Sequence, residues 1–166
     1  MSKIQNTHDQ LLTTNYYYNT KIDFGILSEH FEIVKEISKG GFGSVYLAKP
    51  KFEQSHQHNY AIKMIIGTIP LESIEIEILF SELLSPYPEF PDFVNFIHHK
   101  SRYFLVYRMY EFTEFNEFVD RCELSDIVSY QRNLLLALAK LHSLGIVHQD
   151  IKPSNFLYDF YEKKGV

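Results

Sequence analysis

A glycine cluster, Lys39-Gly40-Gly41-Phe42-Gly43, separates two short apolar runs and restricts the fold more than any other feature of the chain. Phe31, Ile33 and Ile37 read as a first strand with irregular alternation. Val45, Tyr46 and Leu47 begin a second. Two strands around a glycine turn make a hairpin. Residues 50–58 form a polar loop, and Tyr60–Ile66, rich in β-branched residues, reads as a third strand. Leu71, Ile74, Ile78, Leu79 and Leu83 have helical spacing, and Pro86, Pro88 and Pro91 stop that helix. Two more strands are expected, from Phe93 to Ile97 and from Tyr103 to Tyr110. A short helix is expected over 115–121. A long one is expected from Ser125 to Leu144, with Ser125 as N-cap and Gly145 just past its end. A loop dense in polar residues, Ile146 to Asn155, follows.

Three strands, a helix, two strands, a helix and a polar loop predict an α+β fold. It is a five-stranded antiparallel small lobe carrying one helix, then the first helices of a helical lobe. Residues 1–29 are polar, with a Tyr16–Tyr18 cluster and no periodicity, and read as an extension. The small lobe is expected over about 30–110 and the start of the large lobe over about 111–166.

With 45% hydrophobic and 16% aromatic residues among 166, the chain can bury a real core. A formal charge of -5 gives no electrostatic footprint for nucleic acid, so no direct nucleic-acid contact is expected. The single cysteine, Cys122, excludes an internal disulfide framework. No apolar run is long enough for a bilayer and the N-terminus has no secretory h-region. No membrane contact is expected, and the location is expected to be the nucleus or, alternatively, the cytoplasm. Eight histidines include His56-x-His58 and His98-His99, but no spacing matches a zinc site.

Chemistry concentrates in His148-Gln149-Asp150-Ile151-Lys152-Pro153-Ser154-Asn155. A bare H-x-D is usually an ordinary polar loop. This longer pattern resembles the protein-kinase catalytic loop H-R-D-x-x-x-x-N at His, Asp and Asn. The residue types suit phosphoryl transfer. Asp150 accepts the proton of an attacking hydroxyl, Lys152 steadies the γ-phosphate, and Asn155 offers a neutral oxygen to Mg²⁺. Upstream, Ser38-Lys39-Gly40-Gly41-Phe42-Gly43-Ser44-Val45 resembles G-x-G-x-x-G-x-V, with Ser38 at the first glycine and Phe42 at the loop tip. Alone, such a hairpin is usually only a turn. Ala61-Ile62-Lys63 corresponds to the strand lysine of V-A-I-K; a lone strand lysine is usually a solvated edge residue. That lysine needs a helix carboxylate, and two exist. Glu75 is preferred, because Ile78 and Leu79 follow it as E-x-x-I-L and Leu79 would face the core. Counting from Lys63 favours Glu77. Phe104 to Tyr107 then leads into Arg108-Met109-Tyr110 as a hinge, with Tyr107 as gatekeeper and Glu114 near the ribose. An aromatic strand is more often just core; the joint order of the five elements carries the argument.

Over roughly residues 31–166 the chain resembles the eukaryotic serine/threonine protein kinases. Ile146-Val147-His148 and Lys152-Pro153-Ser154-Asn155-Phe156-Leu157-Tyr158 are most similar to the cell-division-cycle-seven subfamily, the catalytic half of the DDK complex. The resemblance implies ATP and Mg²⁺ as cofactors. It implies an ATP site of Ser38, Gly40, Gly43, Val45, Ala61, Lys63, Glu75, Met109, Tyr110, Glu114 and Leu157. Asp150, Lys152 and Asn155 would be catalytic, with Asn155 on the metal. It further implies a nuclear role at the start of DNA replication, a protein substrate, and an activating regulatory subunit on the small lobe. Two departures stand out. Gln149 replaces the arginine that reads an activation-loop phosphate, which fits activation by a bound partner instead. The D-F-G aspartate is expected about three residues past Val166, so this stretch alone is expected to transfer phosphate poorly. The alternative expectation is an inactive truncated kinase or pseudokinase scaffold.

Overall fold

The computed structural model describes residues 24–41, 43–52, 58–66 and 68–166. A one-turn helix α1 (Leu27–His30) leads into strands β1 (Phe31–Gly40), β2 (Gly43–Pro50) and β3 (Tyr60–Ile66), then helix α2 (Leu71–Leu84). Strands β4 (Phe93–His99) and β5 (Arg102–Arg108) complete an antiparallel sheet of order β1-β2-β3-β5-β4. Below it lie α3 (Phe115–Arg121), α4 (Leu124–Ser143), a 3₁₀ turn (Pro153–Asn155) and a two-stranded ribbon, β6 (Tyr158–Asp159) with β7 (Lys164–Gly165). The five-stranded sheet and its order of helices match the sequence expectation.

β3 is buried on both faces, which is why it reads as a nearly unbroken apolar run. Tyr60, Ile62 and Met64 join Tyr46, Ala48, Phe104 and Val106 on one face. Ile65 turns the other way and packs with Leu105 and Ile74 under α2. Irregular alternation in β1 has a local cause: its register against β2 slips between Ile33 and Lys35 and again between Glu36 and Ser38.

The face away from α2 is closed by residues that the sequence assigned to the polar extension. Leu27 has no exposed surface and sits in that core, with Phe24 packed against it. The Phe24 ring meets Tyr46 edge-on at 5.1 Å. The small-lobe boundary therefore falls earlier than residue 30. Isolated apolar residues in a polar stretch have no periodicity to announce them.

Another difference lies at the head of α4. It begins at Leu124, not after Ser125, and Glu123 is the capping residue: the Asp126 carboxylate accepts the Glu123 N–H at 2.9 Å. Asp126 also holds Lys163 Nζ at 2.8 Å, tying this helix to the β6–β7 ribbon. The Lys163 ammonium and the Glu123 N–H together lower the Asp126 carboxyl below its ordinary value. β5 ends at Arg108, two residues short of the expected end, with the Met109 N–H adding one last rung to the β3–β5 ladder by reaching the Asn59 carbonyl at 2.9 Å. A third core of Phe118, Phe156 and Tyr158, with Tyr130 and Leu134 against it, joins α3, α4 and β6. Among the described residues no helix is long and apolar enough to cross a membrane.

Candidate active site

Between the sheet and the lower helices lies a cleft of about 730 Å³. That is within the usual range for small-molecule sites. Its roof is Ser38, Val45, Ala61 and Lys63, its inner wall is Tyr107 and residues of α2, its hinge side is Met109 and Tyr110, and its floor is Leu157 with His148. Register explains the roof. Val45 pairs with Lys63 across β2–β3, and Ala61 pairs with Tyr107 across β3–β5, so these side chains share one face.

Gly43 shapes the roof without lining it. Its φ of +140° is a conformation that side-chain-bearing residues rarely adopt. A Cβ there would collide with the Met64 carbonyl oxygen, so only glycine lets β2 turn this closely over β3. Gly40 ends β1 in open space and does not line the cleft. Phe42, expected at the loop tip, lies outside the described residues.

The strand lysine pairs with Glu77: Lys63 Nζ donates to Glu77 Oε1, both side chains being about a third exposed (30% and 31%). This corrects the preference for Glu75, which is exposed. The reason is angular. At 100° per residue, Glu77 lies about 60° from the buried Ile74 and Glu75 about 100°. Leu79, taken as core-facing, is 58% exposed, so the E-x-x-I-L pattern pointed to the wrong side of α2.

At the floor, the loop after α4 folds on itself. Asp150 N–H donates to His148 Nδ1 at 3.2 Å. Lys152 Nζ reaches Asp150 Oδ2 at 2.8 Å, and Asn155 Nδ2 donates to both the carbonyl and Oδ2 of Asp150, each at 2.9 Å. The Lys152 ammonium first, and the Asn155 amide second, lower the Asp150 carboxyl below its ordinary value of 3.8. Asp150 is thus an ionised acceptor at neutral pH. Asn155 Nδ2 is engaged by Asp150, which leaves the amide oxygen Oδ1 as its other polar atom. Gln149 adopts φ 66°, the left-handed region that a non-glycine residue seldom occupies. Lys152 and Asn155 border an adjoining cavity of about 450 Å³ that also touches Lys63 and Leu157.

At the hinge, the Met109 N–H is held by Asn59, so of the two hinge residues expected in the ATP site Tyr110 has the N–H outside the sheet. Burial first, then the nearby Asp159 carboxylate, pushes the Tyr110 hydroxyl up to about 12. Glu114 lines a neighbouring cavity beside Ser38 and Thr113 and not the main cleft. The inner wall holds a contact that sequence reasoning missed: the Tyr107 hydroxyl lies 2.8 Å from Ser81 Oγ. Burial pushes the Tyr107 hydroxyl up to about 12. Ser81 had a signal, its four-residue spacing from Glu77 on one helix face. Among the described residues no cluster of three metal-binding side chains occurs.

The protein kinase domain model matches residues 31–165. The chain is 30% identical over 134 residues to the cell division cycle 7-related protein kinase of Mus musculus, covering 81% of this chain and 24% of that protein. It is 31% identical over 138 residues to the Homo sapiens protein of the same name, covering 83% and 24%. To the cell cycle protein kinase spo4 of Schizosaccharomyces pombe it is 26% identical, covering 86% and 39%. The chain thus spans about a quarter of the mouse and human relatives. With the cleft, the lysine–glutamate pair and the loop of Asp150 to Asn155 in the order that the family model matches, the chain belongs to the protein kinase domain family.

Proposed function

We propose that this chain supplies the nucleotide cleft and catalytic loop of an ATP-dependent serine/threonine protein kinase of the cell cycle, acting in the nucleus at the initiation of DNA replication. The observation that carries the reading is the preformed Lys63–Glu77 pair in the roof above a loop that already joins Asp150, Lys152 and Asn155. Bound ATP supplies the phosphoryl group that moves. Lys63 neutralises the α- and β-phosphates, Tyr110 holds the adenine edge, and Leu157 closes beneath it. Asp150 orients the substrate hydroxyl and takes its proton, Lys152 offsets charge on the γ-phosphate, and Asn155 Oδ1 holds Mg²⁺.

The cell-cycle role follows the printed names of the relatives. Replication and the nucleus follow the subfamily likeness of the residues around Asn155. A regulatory subunit on the small lobe is supported by apolar residues that α2 leaves uncovered outside the cleft: Leu79 at 58% and Leu83 at 44% exposure. The test is calorimetric binding of Mg·ATP to the full-length gene product and its Lys63→Met variant, with phosphotransfer measured for Asp150→Asn. Binding that Lys63→Met weakens, and transfer that Asp150→Asn abolishes, support the reading. An Asp150→Asn enzyme as fast as wild type overturns it.

A further inference from the structure

Helix α2 is attached to the sheet by little apolar surface. Ile74 is its one buried residue among those described. Beside Ile74 and the half-buried Ile78 that packs against the same core, a polar stripe with a spacing of four ties the helix to the sheet. Glu77 meets Lys63 on β3, Ser81 meets Tyr107 on β5, and Ser85 Oγ accepts the Phe93 N–H of β4 at 2.9 Å. Ser81 is the central member, and its chemistry settles the direction of the bonds. A hydroxyl has one proton to give. Ser81 Oγ donates that proton to the Glu77 carbonyl at 2.7 Å. The Tyr107 hydroxyl must then be the donor to Ser81 Oγ. The chain Tyr107, Ser81, Glu77 carbonyl therefore runs from the inner wall of the cleft to the residue whose carboxylate holds Lys63.

We infer that Ser81 is a positioning residue for the reaction, acting through Glu77: bonded to Tyr107, it holds α2 where Glu77 reaches Lys63. The inference rests on the reading of this cleft as the ATP site. On this inference a displaced α2 would lose the Lys63–Glu77 pair, and nucleotide would bind the paired arrangement better. Apparent affinity scales with the paired fraction. Removing the Ser81 hydroxyl leaves the Tyr107 hydroxyl, partly buried, without its acceptor, which penalises the paired arrangement specifically. Removing the Tyr107 hydroxyl as well takes that penalty away.

The experiment uses the full-length protein as wild type, Ser81→Ala, Ser81→Thr, Tyr107→Phe and the Ser81→Ala/Tyr107→Phe double variant. Two quantities are read: the Kd for Mg·ATP, and the rate at which an amine-reactive ester acylates Lys63 in the absence of nucleotide, followed by mass spectrometry. For a penalty of about fivefold on the paired arrangement, the size of one orphaned, partly buried hydroxyl, the loss of Mg·ATP affinity and the gain in Lys63 acylation in Ser81→Ala are expected to multiply to about fivefold, each roughly twofold where the two arrangements are comparably populated. Ser81→Thr, which keeps the hydroxyl, restores both. The double variant falls closer to wild type than Ser81→Ala does. Two results overturn the inference: unchanged affinity and acylation in Ser81→Ala, or a lowered melting temperature with both quantities unchanged, which would make Ser81 a packing residue only. Failure of the wild type itself to bind Mg·ATP overturns the ATP-site reading instead, so the two failures are distinct.

Discussion

Replacing Glu77 and Glu75 in turn by glutamine separates two helix carboxylates that lie two residues apart. Only the Glu77 carboxylate meets Lys63. Glutamine keeps the shape and removes the charge. A hydrogen bond to a charged group contributes a net 1.5–3 kcal/mol or so. With the Lys63 and Glu77 side chains 30% and 31% exposed, water screens the pair, and the lower end applies. About 1.5 kcal/mol corresponds to roughly a tenfold change in an equilibrium constant. Glu77→Gln in the full-length protein is therefore expected to weaken Mg·ATP binding about tenfold by calorimetry. Glu75, exposed on the flank of α2, is expected to change it by less than about twofold, as surface substitutions do. Equal losses in the two variants, or a Glu77→Gln protein within twofold of wild type, would refute the assignment of the pair and the helix-face argument behind it.

Leu27→Ala should lower stability by about 3 kcal/mol, within the range for a fully buried leucine, and the thermal midpoint by roughly 9 °C. A midpoint within 1 °C of wild type would remove α1 from the core. Gly43→Val should prevent β2 from closing over Met64, and loss of Mg·ATP binding with retained helical circular dichroism is the expected signature. Asp126 has a folded-state carboxyl lowered by Lys163, so its stabilising effect is present above the ordinary value of 3.8 and is lost as pH falls through the lowered one. Urea midpoints should therefore drop more steeply below about pH 4 for wild type than for Asp126→Asn, and parallel curves would exclude the tie.

Legibility followed periodicity. β3 and the paired strands were readable because tertiary burial and local pattern agree there, as in Tyr60–Ile66. Asp150, Lys152 and Asn155 were readable because a short loop brings them together, so their spacing already encodes their contact. Phe24 and Leu27 were not, since they reach the core from a segment without a repeat. The E-x-x-I-L pattern points to Glu75, but the angle around α2 from the buried Ile74 puts Glu77 nearer the sheet, and the angle decides. Ser125 was preferred as a cap because serine is a common one. The cap is instead Glu123, two residues earlier, whose N–H bonds to Asp126, and Asp126 is tied in turn to Lys163, which lies 37 residues away (163 − 126). Such a partner is invisible to any local window.

The strand order has a consequence for how the chain acquires its shape. β5 inserts between β3 and β4, pairing Tyr60–Ile66 with Arg102–Arg108. On a growing chain, β1, β2 and β3 form a local meander, yet one edge of β3 stays bare until Arg108 has left the ribosome. The β4–β5 hairpin must then dock as a unit, after a long loop closure that slows folding and exposes an aggregation-prone edge in the interval. Backbone amides of β3 that bond to β5 are accordingly expected to gain protection from hydrogen exchange last in the sheet, after those shared between β1 and β2.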